Sequence, residues 1–136
     1  MSECVFCQIV QGHAPCHRVY EDDHILAFMD LFPAAPGHTL VIPKVHAVNL
    51  FEIGDACLAA VSRLTPGLAR ALGKVLEPDG LMVMQLNGAA AGQTVFHYHT
   101  HLIPRLGGTP LALQPRIPGD DGELAQLAER IRHALG

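Results

Sequence analysis

Three histidines alternate with other residues in His97-Tyr98-His99-Thr100-His101. On an extended chain successive side chains point to opposite faces, so these imidazoles would share one face while Tyr98 and Thr100 take the other. Such a row admits three readings. Three hydrogen-bonded structural histidines would need a partner for each of three partly desolvated rings. A metal site is weakened by the spacing, since same-face Cα atoms on a strand lie about 6.8 Å apart and one or two rings, not all three, would reach a single ion. A neutral imidazole beside two possible proton donors is, by contrast, a competent nucleophile toward phosphorus at neutral pH. Immediately upstream, Gly88-Ala89-Ala90-Ala91-Gly92-Gln93-Thr94 is a run of mostly small residues. In isolation it reads as an ordinary connection; ahead of the histidine row, its backbone amides could hold a phosphate with its phosphorus toward the imidazoles. A third feature, Cys4-Val5-Phe6-Cys7, offers half of a tetrahedral metal site and leaves the other ligands to come from elsewhere. A redox pair is the alternative, although no strand precedes it and no clear helix follows.

The elements that must position these groups follow from hydrophobic pattern and turn chemistry. A short apolar turn lies around Val5 to Val10, and Arg18–Glu21 and His24–Asp30 read as a hairpin turned at Asp22-Asp23. His38–Ile42, after Pro36-Gly37 and before Pro43, reads as a third strand. From Asp55 as N-cap, Leu58, Val61, Leu64, Leu68, Leu72 and Val75 keep helical spacing, with Pro66 expected to kink or divide the helix. Leu81–Leu86 and Thr94–Ile103 read as the last two strands, and Leu124, Leu127, Ile131 and Leu135 mark a terminal amphipathic helix over Glu123–Leu135. The fold class is therefore α+β, with a five-stranded, mainly antiparallel sheet, a helix packed on it and a C-terminal helix.

The 136 residues suit one domain, and 49% hydrophobic against 16% charged residues, with no internal repeat, exclude a disordered chain. A net charge of −4 argues against a long nucleic-acid partner. No run approaches a membrane span, and Met1-Ser2-Glu3-Cys4 lacks the basic and apolar pattern of a signal peptide, so the cytoplasm is the expected compartment. In that reducing setting Cys16 and Cys57 read as ordinary thiols.

The segment from Gly92 to Arg105, Gly-Gln-Thr-Val-Phe-His-Tyr-His-Thr-His-Leu-Ile-Pro-Arg, resembles the signature of the histidine triad (HIT) nucleotide-binding hydrolases. The likeness extends to Cys4–Cys7, Tyr20–Asp23, Leu26–Asp30 and Pro36–His46, a motif-matched core of residues 4–105 with 106–136 as a C-terminal extension of one HIT domain. These blocks are most similar to the bacterial branch that hydrolyses purine nucleoside phosphoramidates and related AMP-like mononucleotides.

The resemblance implies a residue-by-residue assignment. His99 would attack the α-phosphorus and form a nucleotidyl-histidine intermediate that water hydrolyses, His101 would donate to the phosphate or departing group, Thr94 would sit near that group, and His38 would support the nucleophile. Asp30 would hold the ribose hydroxyls, Phe6, Ile9, Phe28 and Leu31 would line the base slot, and Gln93 with the Thr94 and Val95 amides would stabilise phosphate charge. Many bacterial members carry two adjacent Asn before the loop glycine; here the pair is Leu86-Asn87, so one amide is lost, with Asn87 left to compensate. Several bacterial members complete a structural zinc site from residues matching Cys4, Cys7, His46 and His97. A homodimer is also implied, with no organic cofactor. The alternatives are dinucleoside polyphosphate hydrolysis, or a nucleotide- or zinc-binding interaction module with little turnover.

Overall fold

The computed structural model describes residues 3–113 and 117–136. Helix α1 spans Val5–Val10, and the Cys4 sulfur caps it by accepting the Cys7 amide at 3.4 Å. Strands β1 (Arg18–Glu21) and β2 (Ile25–Met29) form the expected hairpin. Asp22 makes its turn, one carboxylate oxygen accepting the amides of His24 and Ile25 at 2.8 and 3.0 Å. Strand β3 is Thr39–Pro43, helix α2 is Asp55–Leu76, β4 is Gly80–Gln85, β5 is Thr100–Arg105 and α3 is Asp121–Leu135. The five strands form one sheet in the order β1-β2-β3-β5-β4, every adjacent pair antiparallel.

Strand alternation divides the interior in two. On one face Ile25, Ala27, Met29, Val41, Tyr98 and Leu102 pack against Val61, Leu68, Ala71 and Leu72 of α2 and against Leu124, Ala128 and Ile131 of α3. On the other, Leu26, Phe28, Leu40 and Ile42 pack against Phe6 and Ile9 of α1. His101 pairs laterally with Leu40 of β3 and Met84 of β4, so the triad lies on the α1 face, away from the long helices. Before β3, Gly37 adopts φ +90°, and a Cβ there would lie 2.3 Å from a methyl of Leu76. Glycine is what lets the chain turn beneath the end of α2.

Five expectations are corrected. Thr94–Ile103 is not one strand, because β5 begins only at Thr100. Upstream of it the backbone leaves the ladder: Tyr98 donates its amide to Ala47, and the His97 carbonyl accepts from the His99 ring. Pro66 does not divide α2, which runs unbroken through it. Its missing amide leaves the carbonyl of the exposed Ser62, open to water, while Thr65 donates its hydroxyl back to the Val61 carbonyl at 3.0 Å. The N-cap of α2 is Gly54 rather than Asp55, which lies in the first turn as an anion at the positive end of the helix. The apolar turn near the N-terminus closes into α1, and α3 starts two residues before Glu123 because Asp120 caps it, accepting the Glu123 amide at 3.0 Å.

Candidate active site and metal centre

The three triad rings do share one face, but each faces different company. His99 is almost buried and directs Nδ1 at the His97 carbonyl, 2.7 Å away. A carbonyl only accepts, so Nδ1 carries the hydrogen and the neutral ring has its lone pair on Nε2. Phe6 stands edge-on to this ring, with centroids 5.1 Å apart, and Phe28 stands edge-on to Phe6 at 5.3 Å. Helix α1 thus sets the ring orientation of His99 through one aromatic contact.

A second chain of hydrogen bonds fixes His101. The Ala34 amide donates to Nδ1 of His38 at 2.9 Å, so that nitrogen is the acceptor and Nε2 carries the hydrogen. Nε2 of His38 lies 2.9 Å from Nδ1 of His101 and 3.4 Å from an Asp30 oxygen. The nearer acceptor is the imidazole, which leaves His101 with its own hydrogen on Nε2. His99 and His101 are therefore held in opposite tautomers, the former by one carbonyl and the latter by one amide acting through His38. The other Asp30 oxygen accepts the Phe32 amide at 2.9 Å, which holds the buried carboxylate in place.

A cavity of about 280 Å³ opens beside His99. It is lined by Phe6, Ile9, Phe28, Asp30, Leu31, Thr94 and Val95, all expected from the sequence. Val5, Pro15, Cys16, Phe32 and Leu40 also line it and were not expected. None carries a chemical signal in sequence; Pro15 and Cys16 reach the cavity only because the chain crosses it between α1 and β1. Burial raises the Cys16 thiol above its ordinary range, which keeps it protonated and unreactive. A smaller cavity of about 150 Å³ lies on the other side of Thr94, lined by His38, His101, Ala34, Met84, Leu86, Gly92 and Leu113.

Two expected site residues are used elsewhere. The buried Gln93 side chain braces the small-residue loop: its amide donates to the carbonyls of Val48 (2.6 Å) and Val95 (3.1 Å), and its oxygen accepts from the amide of Gly88 (2.7 Å). Gly88 and Gly92 hold φ near +90° at the two ends of that loop, around the 3₁₀ turn Ala89–Ala91. Asn87 lines neither cavity; its oxygen accepts the Leu50 amide at 2.7 Å and its amide donates to Gln85 at 2.7 Å.

His97 turns its ring toward the N-terminus, where Cys4, Cys7, His46 and His97 bring their ligand atoms within 4.8 Å of one another. Nδ1 of His97 lies 3.4 Å from the Cys4 sulfur, 3.5 Å from the Cys7 sulfur and 3.1 Å from Nδ1 of His46, which is 3.3 Å from the Cys7 sulfur. Zn–S near 2.3 Å and Zn–N near 2.0–2.1 Å in a tetrahedron imply ligand separations of roughly 3.3–3.8 Å; the sulfur–nitrogen separations fall in that range and the two imidazoles stand slightly closer, so the donor set fits a zinc ion after a small movement of His46. Nε2 of His97 donates to the Pro43 carbonyl at 2.8 Å, which turns the lone pair of Nδ1 toward the sulfurs. Burial lowers the His97 pKa to about 4, so the ring is neutral, as a metal ligand must be. Asp30, His38 and His101 also converge within 4.8 Å. There the Ala34 amide keeps the hydrogen of His38 on Nε2, the atom that would have to bind, and the trio works as a hydrogen-bond chain instead.

Two buried imidazoles held in opposite tautomers on one face of a five-stranded antiparallel sheet, with a third ring turned toward the N-terminus, give the arrangement of a histidine triad protein. The HIT domain family matches residues 11–108, and the chain belongs to that family. It is 42% identical to the adenylylsulfatase HINT3 of Arabidopsis thaliana over 104 residues, which is 76% of this chain and 53% of that protein. Among solved structures, a Hit-like protein of Bartonella henselae superposes with a TM-score of 0.92 at 42% identity, covering 97% of this chain and 96% of that one. A Zn-bound histidine triad family protein of Mycobacterium smegmatis superposes with a TM-score of 0.85 at 40% identity, covering 98% and 93%.

Proposed function

We propose that the protein is a nucleotide hydrolase that cleaves at the α-phosphate of a purine nucleoside phosphoramidate or a related AMP-like mononucleotide, through a covalent intermediate on His99. The observation that carries this reading is the 2.7 Å contact from Nδ1 of His99 to the His97 carbonyl, which leaves the lone pair on the nitrogen that can attack. The base and ribose occupy the apolar cavity beside it, with Asp30 taking the ribose hydroxyls. The phosphate lies at Thr94, which borders both cavities.

In the first step Nε2 bonds to phosphorus, the bond to the departing atom breaks, and its electron pair leaves with that atom. The Nε2 hydrogen of His101 is donated to it as charge develops there. In the second step a water oxygen bonds to phosphorus, the P–N bond breaks and its pair returns to His99, and the proton released by the water passes to Nε2 of His101, which restores both rings. Water has then supplied OH to the nucleoside monophosphate and H to the departing group. The relative named an adenylylsulfatase supports the general reaction, since that name too implies cleavage next to an adenylyl group.

We also read Cys4, Cys7, His46 and His97 as a structural zinc site that ties α1 to the sheet and supplies fold rather than chemistry. Residues 1–136 form one HIT domain in this reading, since α3 shares its core with α2 and the sheet. The protein acts in the cytoplasm; none of the helices among the described residues is long and apolar enough to cross a membrane. It forms a homodimer across the outer edge of β4, where the half-exposed Val83 adjoins an open groove against α2. The deciding experiment is turnover of ³²P-labelled adenosine 5′-phosphoramidate quenched in alkaline denaturant, because a phosphorus–nitrogen adduct is labile in acid, with a dinucleoside polyphosphate in parallel. A labelled adduct on His99 that forms and decays as fast as AMP appears is expected from the phosphoramidate. Turnover that persists unchanged in His99→Ala overturns the assignment.

A further inference from the structure

We propose that the cavity on the His101 side of Thr94 is a binding site for an apolar departing group, about one aromatic ring in size, and that Leu86 makes it so. This rests on the reading that His99 attacks and His101 serves the departing atom. An in-line displacement expels its departing group away from the nucleophile. His99 borders the cavity assigned to the nucleoside and not this one, whereas His101 and His38 border this one and not the other. Thr94 belongs to both and marks the place of phosphorus between them.

The walls facing the two imidazoles are apolar: Met84, Leu86 and Leu113, with Ala34 at one side. A cavity of about 150 Å³ is the size that, lined by aliphatic residues, accepts benzene. A charged or hydrophilic group here would give up water on these walls without a partner for its polar atoms, beyond the one hydrogen bond that His101 offers the departing atom itself. Leu86 is half-buried, and one of its methyl carbons lies 3.3 Å from where a Cβ on Gly92 would stand. It therefore closes the wall by resting on the glycine that ends the phosphate loop. Leu86 borders the departing-group cavity and not the nucleoside cavity, so its side chain bears on selectivity toward the departing group and leaves the nucleoside cavity untouched.

The test compares adenosine 5′-phosphoramidates bearing N-benzyl or N-carboxymethyl groups, whose parent amines have similar basicity. The native protein is expected to prefer the benzyl compound at least about tenfold in kcat/KM, and Leu86→Asn to lose most of that preference while Leu86→Met retains it. AMP affinity serves as the check that each variant is folded, and Leu113→Ser, on a surface segment, provides the same test from another wall. Equal kcat/KM values for the two compounds in the native protein, or a preference unmoved by both polar substitutions, overturns the proposal. If no phosphoramidate is turned over, the hydrolase reading fails by itself. The subsite is then decided by binding alone: 5′-O-(N-benzylsulfamoyl)adenosine should bind at least about tenfold more tightly than 5′-O-sulfamoyladenosine, and equal Kd values reject it.

Discussion

At the scale of single residues the chemistry depends on where two hydrogens sit. One carbonyl holds a hydrogen on Nδ1 of His99, and one amide, acting through His38, holds a hydrogen on Nε2 of His101. Removing His38 leaves His101 free to adopt the other tautomer, which presents a lone pair where the departing group needs a donor. His38→Ala is therefore expected to lower kcat about 10- to 100-fold with little change in KM, because His38 does not line the nucleoside cavity. His38→Gln, whose side-chain amide can donate toward His101, should restore part of the loss. Steady-state kinetics on both variants check this, and a KM increase at constant kcat would assign His38 to binding instead. His99→Ala is expected to remove the adduct and at least about 10³-fold of the rate.

At the scale of elements, α1 is the part whose position the chemistry needs and whose own stability is slight. Six residues cannot hold a helix alone. Phe6 and Ile9 anchor it by burial, and its cap, Cys4, is also one of the four converging ligands. Phe6 in turn packs against His99, so loss of the metal should reach the nucleophile through a single ring. With zinc bound, chelation or Cys4→Ser is expected to lower Tm by on the order of 5 °C or more and to slow AMP release, read by calorimetry, metal analysis and kinetics together. A preparation that carries no zinc and is indifferent to chelators would remove the metal from the account. At the other end of the chain, Asp120→Ala removes the α3 cap and should cost about 1 kcal/mol in a urea titration, without changing turnover.

At the scale of the whole molecule, the sheet keeps its two faces for different tasks. One is filled by α2 and α3 and carries most of the apolar burial; the other is lightly covered by α1 and carries His99, both cavities and the four converging cysteine and histidine ligand atoms. Among the described residues no strand lies beside the outer edge of β4, and Val83 is 50% exposed there. If copies of the chain pair along this edge, Val83→Lys should shift sedimentation from dimer to monomer at micromolar concentration. A native protein that sediments as a monomer throughout that range removes the dimer from the account.

The row of histidines, the paired cysteines and the apolar periodicities were legible from residue order alone, because local alternation sets which side of the backbone a group takes. Triad, hairpin, long helix and terminal helix all followed from that. The limits of β5 did not, since the strand begins only where its neighbours offer ladder partners, and for Thr100 these are Gln85 and the far more distant Val41. Nor could residue order show that Gln93 and Asn87 are occupied by protein partners while Cys16 faces a cavity: those outcomes depend on which distant carbonyl or amide arrives alongside. The tautomers of His99 and His101 are of the same kind. Their identities as histidines are local, but the atom that carries the hydrogen is chosen by backbone groups that only the folded chain brings within reach.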